Sequence, residues 1–192
     1  MPEKPTKMLI VSAFYTAMTA IGALTKIPLP LVPITLQSFF ALLAAYHLPP
    51  RWAMISQLAY LILGLIGLPV FANGGGPTYI LQPTFGYLFA LPCVAWGSSH
   101  LFRTILQKNW LYLFAIIFAA QCLILLIGSV WLYFSLKLLS DQPLSINMAL
   151  SSGIMIFLPA TLLKSFAAVG LIRIIELRLT NQSRRDIGGQ TL

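Results

Sequence analysis

Lys164 is the residue with the most chemistry to offer. From residue 142 to residue 172 it is the sole Asp, Glu, Lys or Arg. A charge carried into hydrocarbon costs about 2.5–3.5 kcal/mol on insertion scales, so such a residue marks a functional site by default. Thr161, three residues earlier, shares its helical face, and Ser165 follows directly. Pro159 has no N–H to donate and is expected to kink the helix, freeing a carbonyl one turn back. A lone ammonium in a polar notch suits a small anionic or carbonyl-bearing ligand. Snorkelling to an interface is the alternative, but Lys164 lies eight residues before Ile172, where the span is expected to end.

Two loops and one polar set could build the rest of a pocket. Residues 25–35 read TKIPLPLVPIT, and Pro28, Pro30 and Pro33 give a stiff, extended backbone. Residues 69–78 read PVFANGGGPT, where Gly74, Gly75 and Gly76 permit close ligand approach and Asn73 adds an amide. Both loops fall on the same predicted side, as a lid or pocket rim would. Gln57, Tyr60 and Gly64 follow i, i+3, i+7 spacing, and Thr84 and Tyr87 follow i, i+3, so each set shares a helical face. Buried amides and phenols need hydrogen-bond partners. Gln57 alone reads as glue between helices, whereas the set together, converging near the glycine loop, reads as a pocket.

The elements that must position these residues are membrane spans. Of 192 residues, 58% are hydrophobic and 8% charged, against about 25% charged in soluble domains. Sixteen charges cannot coat a water-facing globule of this size, and the same composition excludes disorder. Charge-free runs, the last continued past the single charge Lys164, divide into six predicted crossings, at 8–24, 34–48, 53–71, 80–101, 110–136 and 147–172. The second is short and is read as a tilted or incomplete crossing. The chain is thus expected to be an all-α integral membrane protein, one domain over 1–192 with an N-terminal segment 1–7 and a tail 173–192. Lys4, Lys7, Arg51, Arg103, Lys108, Arg173, Arg178, Arg184 and Arg185 fall on the side of the termini, and Lys26 and Lys137 on the other. Nine against two predicts both termini in the cytoplasm. The net charge of +8 follows from this asymmetry, the tail is expected on anionic lipid, and nucleic acid is not expected as a partner.

Other chemistry is missing. The sequence has no G-x-x-x-x-G-K-[ST], H-E-x-x-H or G-x-S-x-G motif. No enzyme, cofactor or metal site is expected. His47 and His100 sit near predicted span ends, and Cys93 and Cys122 read as small fillers within spans. No Asp or Glu falls within a predicted span, which weighs against a proton-driven carrier. In the first span Ala13, Ala17 and Ala20 alternate with Ser12, Thr16 and Thr19. Small residues at this spacing let another helix approach closely, either within this chain or from a partner.

The segments IPLPLVPITLQSFFALLAA (27–45), SQLAYLILGLIGLPVFANGGG (56–76), PTFGYL (83–88) and LPATLLK (158–164) together resemble the BioY family. These are biotin-specific substrate-binding S components of energy-coupling factor (ECF) transporters. The resemblance implies a six-helix S-component bundle in a bacterial inner membrane, binding biotin from outside. It implies work with a transmembrane T component and two ABC-type ATPases. It further implies that Ala13, Ala17 and Ala20 dock on the T component, and that residues 73–76 and Lys164 help enclose biotin. In the family Asp usually stands where this chain has Thr161, and Gly where it has Gln82 and Phe85. An S component for another small vitamin or precursor, and a non-transporting membrane assembly subunit, are the alternative readings.

Overall fold

A computed structural model describes residues 5–29, 32–104, 109–139 and 153–188. Its helices are α1 (Pro5–Leu24), α2 (Gln37–His47), α3 (Pro50–Leu65), α4 (Phe85–Thr104), α5 (Trp110–Leu139) and α6 (Leu158–Gly188). Among the described residues, the helices long and apolar enough to cross a membrane are Pro5–Leu24, Trp110–Leu138 and the stretch Met155–Arg178, the last including the turn before α6. Lys4, Pro30, Lys108, residues 147–152 of the sixth predicted span and the last four residues lie outside the described part.

Short α2 is the hub. It packs against each of the other five helices. Its 11 residues reach about 16 Å, roughly half the hydrocarbon thickness, so the incomplete crossing read from the sequence is a central plug. Ala41, Leu42, Leu43, Ala44 and Ala45 are all buried, and the alanines let neighbouring backbones come close. Leu48 takes an extended backbone and Pro50 opens α3 as its first residue. The ring lacks an N–H that no helix needs there, so the prolines break α2 from α3 and start the next helix at once.

Segment 25–35 is not a simple extended strap. Lys26–Ile27 (β1) and Ile34–Thr35 (β2) pair antiparallel, Lys26 opposite Thr35, and the Leu36 N–H donates to the Gly22 carbonyl at 2.9 Å. Pro28 and Pro33 flank these pairs and have no N–H to add to the ladder. The third helix also stops short of its predicted end: α3 closes at Leu65, and the chain folds back over it. Phe71 bridges Gly74, and the Gly76 N–H donates to the Gly64 carbonyl at 2.7 Å. Gly76 holds φ +114 in this turn, a region open to glycine. A Cβ at Gly75 would lie 2.1 Å from the Leu68 carbonyl oxygen, so close packing of the loop on its own helix end explains that glycine. A 3-10 turn, Pro77–Leu81, leads into α4.

The last helix changes two expectations. Pro159 is the second residue of α6, directly after a 3-10 turn at Met155–Phe157. It therefore initiates the helix and does not kink it, because the first turn is where its missing N–H does no harm. Helix α6 also runs unbroken from residue 158 to residue 188, so residue 172 is no boundary and residues 173–188 are helical. Glu176 thus lies inside a span-length helix, accepting a hydrogen bond from the Tyr46 hydroxyl, contrary to the expectation that the spans hold no carboxylate. It sits beside the C-terminal end of α2, next to Arg173.

Candidate functional site

Beneath the hairpin and the glycine loop lies a recess enclosing about 550 Å³ of empty space, counting its open mouth. Val32, Pro33 and Thr35 of the hairpin, Gln37 and Ser38 of α2, and Ala72 and Tyr79 of the glycine-loop region form its outer part. Thr84, Tyr87, Leu88 and Leu91 of the α4 end, Ile124 and Leu125 of α5, and Phe157 and Lys164 complete it. The walls are mostly apolar, and the polar groups converge at a few points, as ligand sites require.

Lys164 is half-buried in the second turn of α6, near the end carrying the hairpin rather than the bundle centre. Its Nζ donates to Ser38 Oγ at 2.8 Å and to the Thr35 carbonyl at 3.5 Å. These contacts belong to a longer chain of bonds. Ser38 Oγ donates to Gln121 Oε1 at 3.2 Å. Gln121 Nε2 donates to Ser165 Oγ at 2.7 Å and to the Thr161 carbonyl at 3.3 Å. The ammonium is thereby held by oxygen acceptors of β2 and α2, with α5 bracing Ser38, leaving it able to turn a donor toward the cavity.

Tyr87 is fixed from behind. Its hydroxyl donates to the Gly153 carbonyl at 3.1 Å and lies 3.4 Å from Ser129 Oγ. A Cβ at Gly128 would stand 2.2 Å from the Tyr87 ring, so only a hydrogen there admits the ring. Thr84 Oγ1 donates to the Tyr79 hydroxyl at 3.2 Å. Burial raises the Tyr79 phenol above its ordinary pKa, so it keeps its proton and remains a donor. The rim is pinned by Lys26, whose Nζ donates to the Ala72 carbonyl and, at 3.4 Å, to Asn73 Oδ1. One ammonium ties the hairpin to the glycine loop.

Of the residues singled out in the sequence, Lys164, Thr84 and Tyr87 line the cavity. Tyr60 stands one layer back: its hydroxyl accepts from Gln37 Nε2 at 2.5 Å and donates to the Val70 carbonyl at 3.0 Å, bracing Gln37. Asn73, Gly74 and Gly75 shape the rim and are not lining residues. Gln57 is away from the cavity. It is fully buried between α1 and α3, where Nε2 donates to Thr19 Oγ1 and Ser56 Oγ at 3.3 and 3.1 Å, so it is interhelical glue. Thr161 is fully buried yet also off the lining; its carbonyl accepts from Gln121 and Ser165, while among the described residues its hydroxyl has no hydrogen-bond partner. Gln37, Ser38 and Tyr79 were missed. The polar pair Gln37–Ser38 opening an otherwise apolar short helix was the available signal.

On α1, Ser12, Thr16 and Thr19 turn inward, with Thr16 Oγ1 donating to the Ser56 carbonyl at 2.8 Å. Ala13 and Ala17 are consequently exposed, beside exposed Ile10, Phe14 and Ile21, whereas Ala20 is half-buried against the core. Among the described residues none buries Ala13 or Ala17. Among the described residues no group of His, Cys, Asp or Glu is placed to hold a metal ion.

The BioY family model matches residues 1–181. A protein of Lysinibacillus sphaericus named "Probable biotin transporter BioY" is 54% identical over 97 residues, half the length of each chain. The "Biotin transporter BioY" of Lactococcus lactis subsp. cremoris is 32% identical over 184 residues, covering 89% of this chain and 91% of that one. A crystal structure described as the S-component for biotin from an ECF-type ABC transporter superposes with TM-score 0.80 at 28% identity, over 92% of this chain and 94% of that one.

Proposed function

This chain belongs to the BioY family, and from that membership together with the cavity geometry we propose that it is a biotin-binding S component of an ECF transporter. It is a multi-pass membrane protein and no enzyme. In this reading it captures biotin at the hairpin end of the bundle and works with a transmembrane T component and two ATPases. Its setting is a bacterial inner membrane, with both termini in the cytoplasm.

The observation that carries the reading is the cavity beneath two loops, where the Lys164 ammonium meets no carboxylate among the described residues. Biotin is a small bicycle with a ureido carbonyl and a carboxylate on an apolar chain. A mostly apolar pocket with Lys164 at one point, and Thr84, Tyr87, Gln37, Ser38 and Tyr79 at others, suits that distribution. Ala13 and Ala17 offer a close-approach face for the T component. Equilibrium dialysis of the purified chain with labelled biotin tests the reading. Retention at micromolar or lower concentration without ATP is expected, and no retention would refute it.

A further inference from the structure

At the end of the bundle opposite the cavity lies a wide second recess, about 1,410 Å³ of open space. Arg51, at the start of α3, and Arg103, near the end of α4, stand on its walls with His47, His100, Trp52 and Trp96. Among the described residues no Asp or Glu lines it. The Trp96 and His100 rings stack at 6.3 Å with 16° between planes, and the His47 ring is held 2.7 Å from the Tyr15 hydroxyl. Arginine forks match phosphate oxygens bidentately, and tryptophan prefers the headgroup level of a bilayer. The recess therefore has a cation pair and an aromatic frame at a span end.

Its surroundings decide what kind of phosphate fits. Arg51, Ile55 and Ile62 follow i, i+4, i+11 spacing on α3, and all three are exposed. Phe89, Trp96, His100 and Arg103 follow one stripe on α4, also exposed. Helices α3 and α4 pack side by side. From both arginines an apolar track thus runs along the bundle toward the opposite face. A soluble phosphate has no use for such a track, and an acidic peptide would leave it bare; an amphiphile uses both parts. We infer that this recess binds the phosphate headgroup of an anionic phospholipid, with its acyl chains along Ile55, Ile62 and Phe89.

The test titrates the full chain in detergent with phosphatidylglycerol, phosphatidylcholine and glycerol 3-phosphate, reading bound adducts by native mass spectrometry. Phosphatidylglycerol adducts are expected to exceed phosphatidylcholine adducts roughly tenfold or more at equal concentration, with none from glycerol 3-phosphate. Arg51→Gln with Arg103→Gln is expected to erase that preference. Lys137→Gln, a basic change in the exposed last turn of α5 outside the recess, is expected to keep it. Equal binding of the two lipids, equal loss in Lys137→Gln, or capture of glycerol 3-phosphate as strong as that of the lipid would each overturn the assignment. So would a double variant that keeps its lipid preference but no longer co-purifies with a T component, which would make the recess a protein interface. Size-exclusion elution reports folding of the variants. Should the double variant not elute as the wild type does, the decision falls to the wild-type chain: tryptophan quenching by brominated phosphatidylglycerol is expected to exceed that by brominated phosphatidylcholine, and equal quenching overturns the proposal.

Discussion

Lys164 and Thr161 differ by three positions and by everything else that matters. The lysine donates to Ser38 and Thr35 at the cavity wall; the threonine hydroxyl is buried with no hydrogen-bond partner among the described residues. Losing a hydrogen bond to a charged group costs about 1.5–3 kcal/mol, or roughly one to two decades in affinity. Lys164→Met keeps the stem and removes the donors, and is expected to weaken biotin binding at least about tenfold while the protein still inserts. Isothermal titration of the purified variant checks this, and unchanged affinity would move the polar anchor to Gln37, Tyr79 and Tyr87. Thr161→Val replaces an unsatisfied hydroxyl with a methyl of the same shape. Because an orphaned buried hydroxyl costs about 1–3 kcal/mol, the variant is expected to melt no lower than the wild type and to bind biotin within about twofold. A clear drop in melting temperature would reveal a partner for that hydroxyl.

Among the elements, helices were easier to read than turns. The long apolar runs predicted α1 and α5 well, since chain length and hydropathy fix a span with little help from tertiary contacts. The truncation of α3 at Leu65 had a signal in Gly67, which holds φ +113, and Pro69, but the apolar run reaching residue 71 outweighed it; beyond the turn Phe71 packs over Gly64, whose Cβ would meet that ring at 2.0 Å. Gln57 and Tyr60 shared a predicted face, but one faces α1 and the other braces Gln37; spacing gives a direction and not the neighbour found there. Lys164 was legible because an unpaired charge among apolar residues is its own signal. Ser38 and Gln121 were not, since ordinary polar residues acquire a role through contacts distant in the chain. The exposed alanine face of α1 is where an element-scale experiment belongs. Ala13→Trp with Ala17→Trp should leave biotin affinity intact and abolish both co-purification with a T component and biotin uptake by cells. Normal uptake would remove that face as the docking surface.

For the molecule as a whole, the basic residues divide between its ends. Arg51 and Arg103 frame the recess, and Arg173 approaches Tyr46 at the same end, while Lys26 and Lys164 hold the opposite end. A cytoplasmic C-terminus is expected from this division. Gln190→Cys in a background lacking Cys93 and Cys122 should resist an impermeant maleimide in intact cells and react after lysis. Labelling in intact cells would invert the topology. The plug helix α2 carries a consequence for synthesis on the ribosome. With 11 residues it cannot span hydrocarbon when it first leaves the insertion machinery, and its backbone ends have no neighbours there to screen them from lipid. Its surroundings are completed by α4, α5 and α6, which are made later. Insertion is therefore out of step with translation: the second helix must wait at the membrane surface or in a protein-lined groove until the last third of the chain arrives. Nascent chains stopped before α5 would present an unfinished bundle to membrane proteases, so cellular quality control, rather than ligand binding, would be the first function to register damage in α5 or α6.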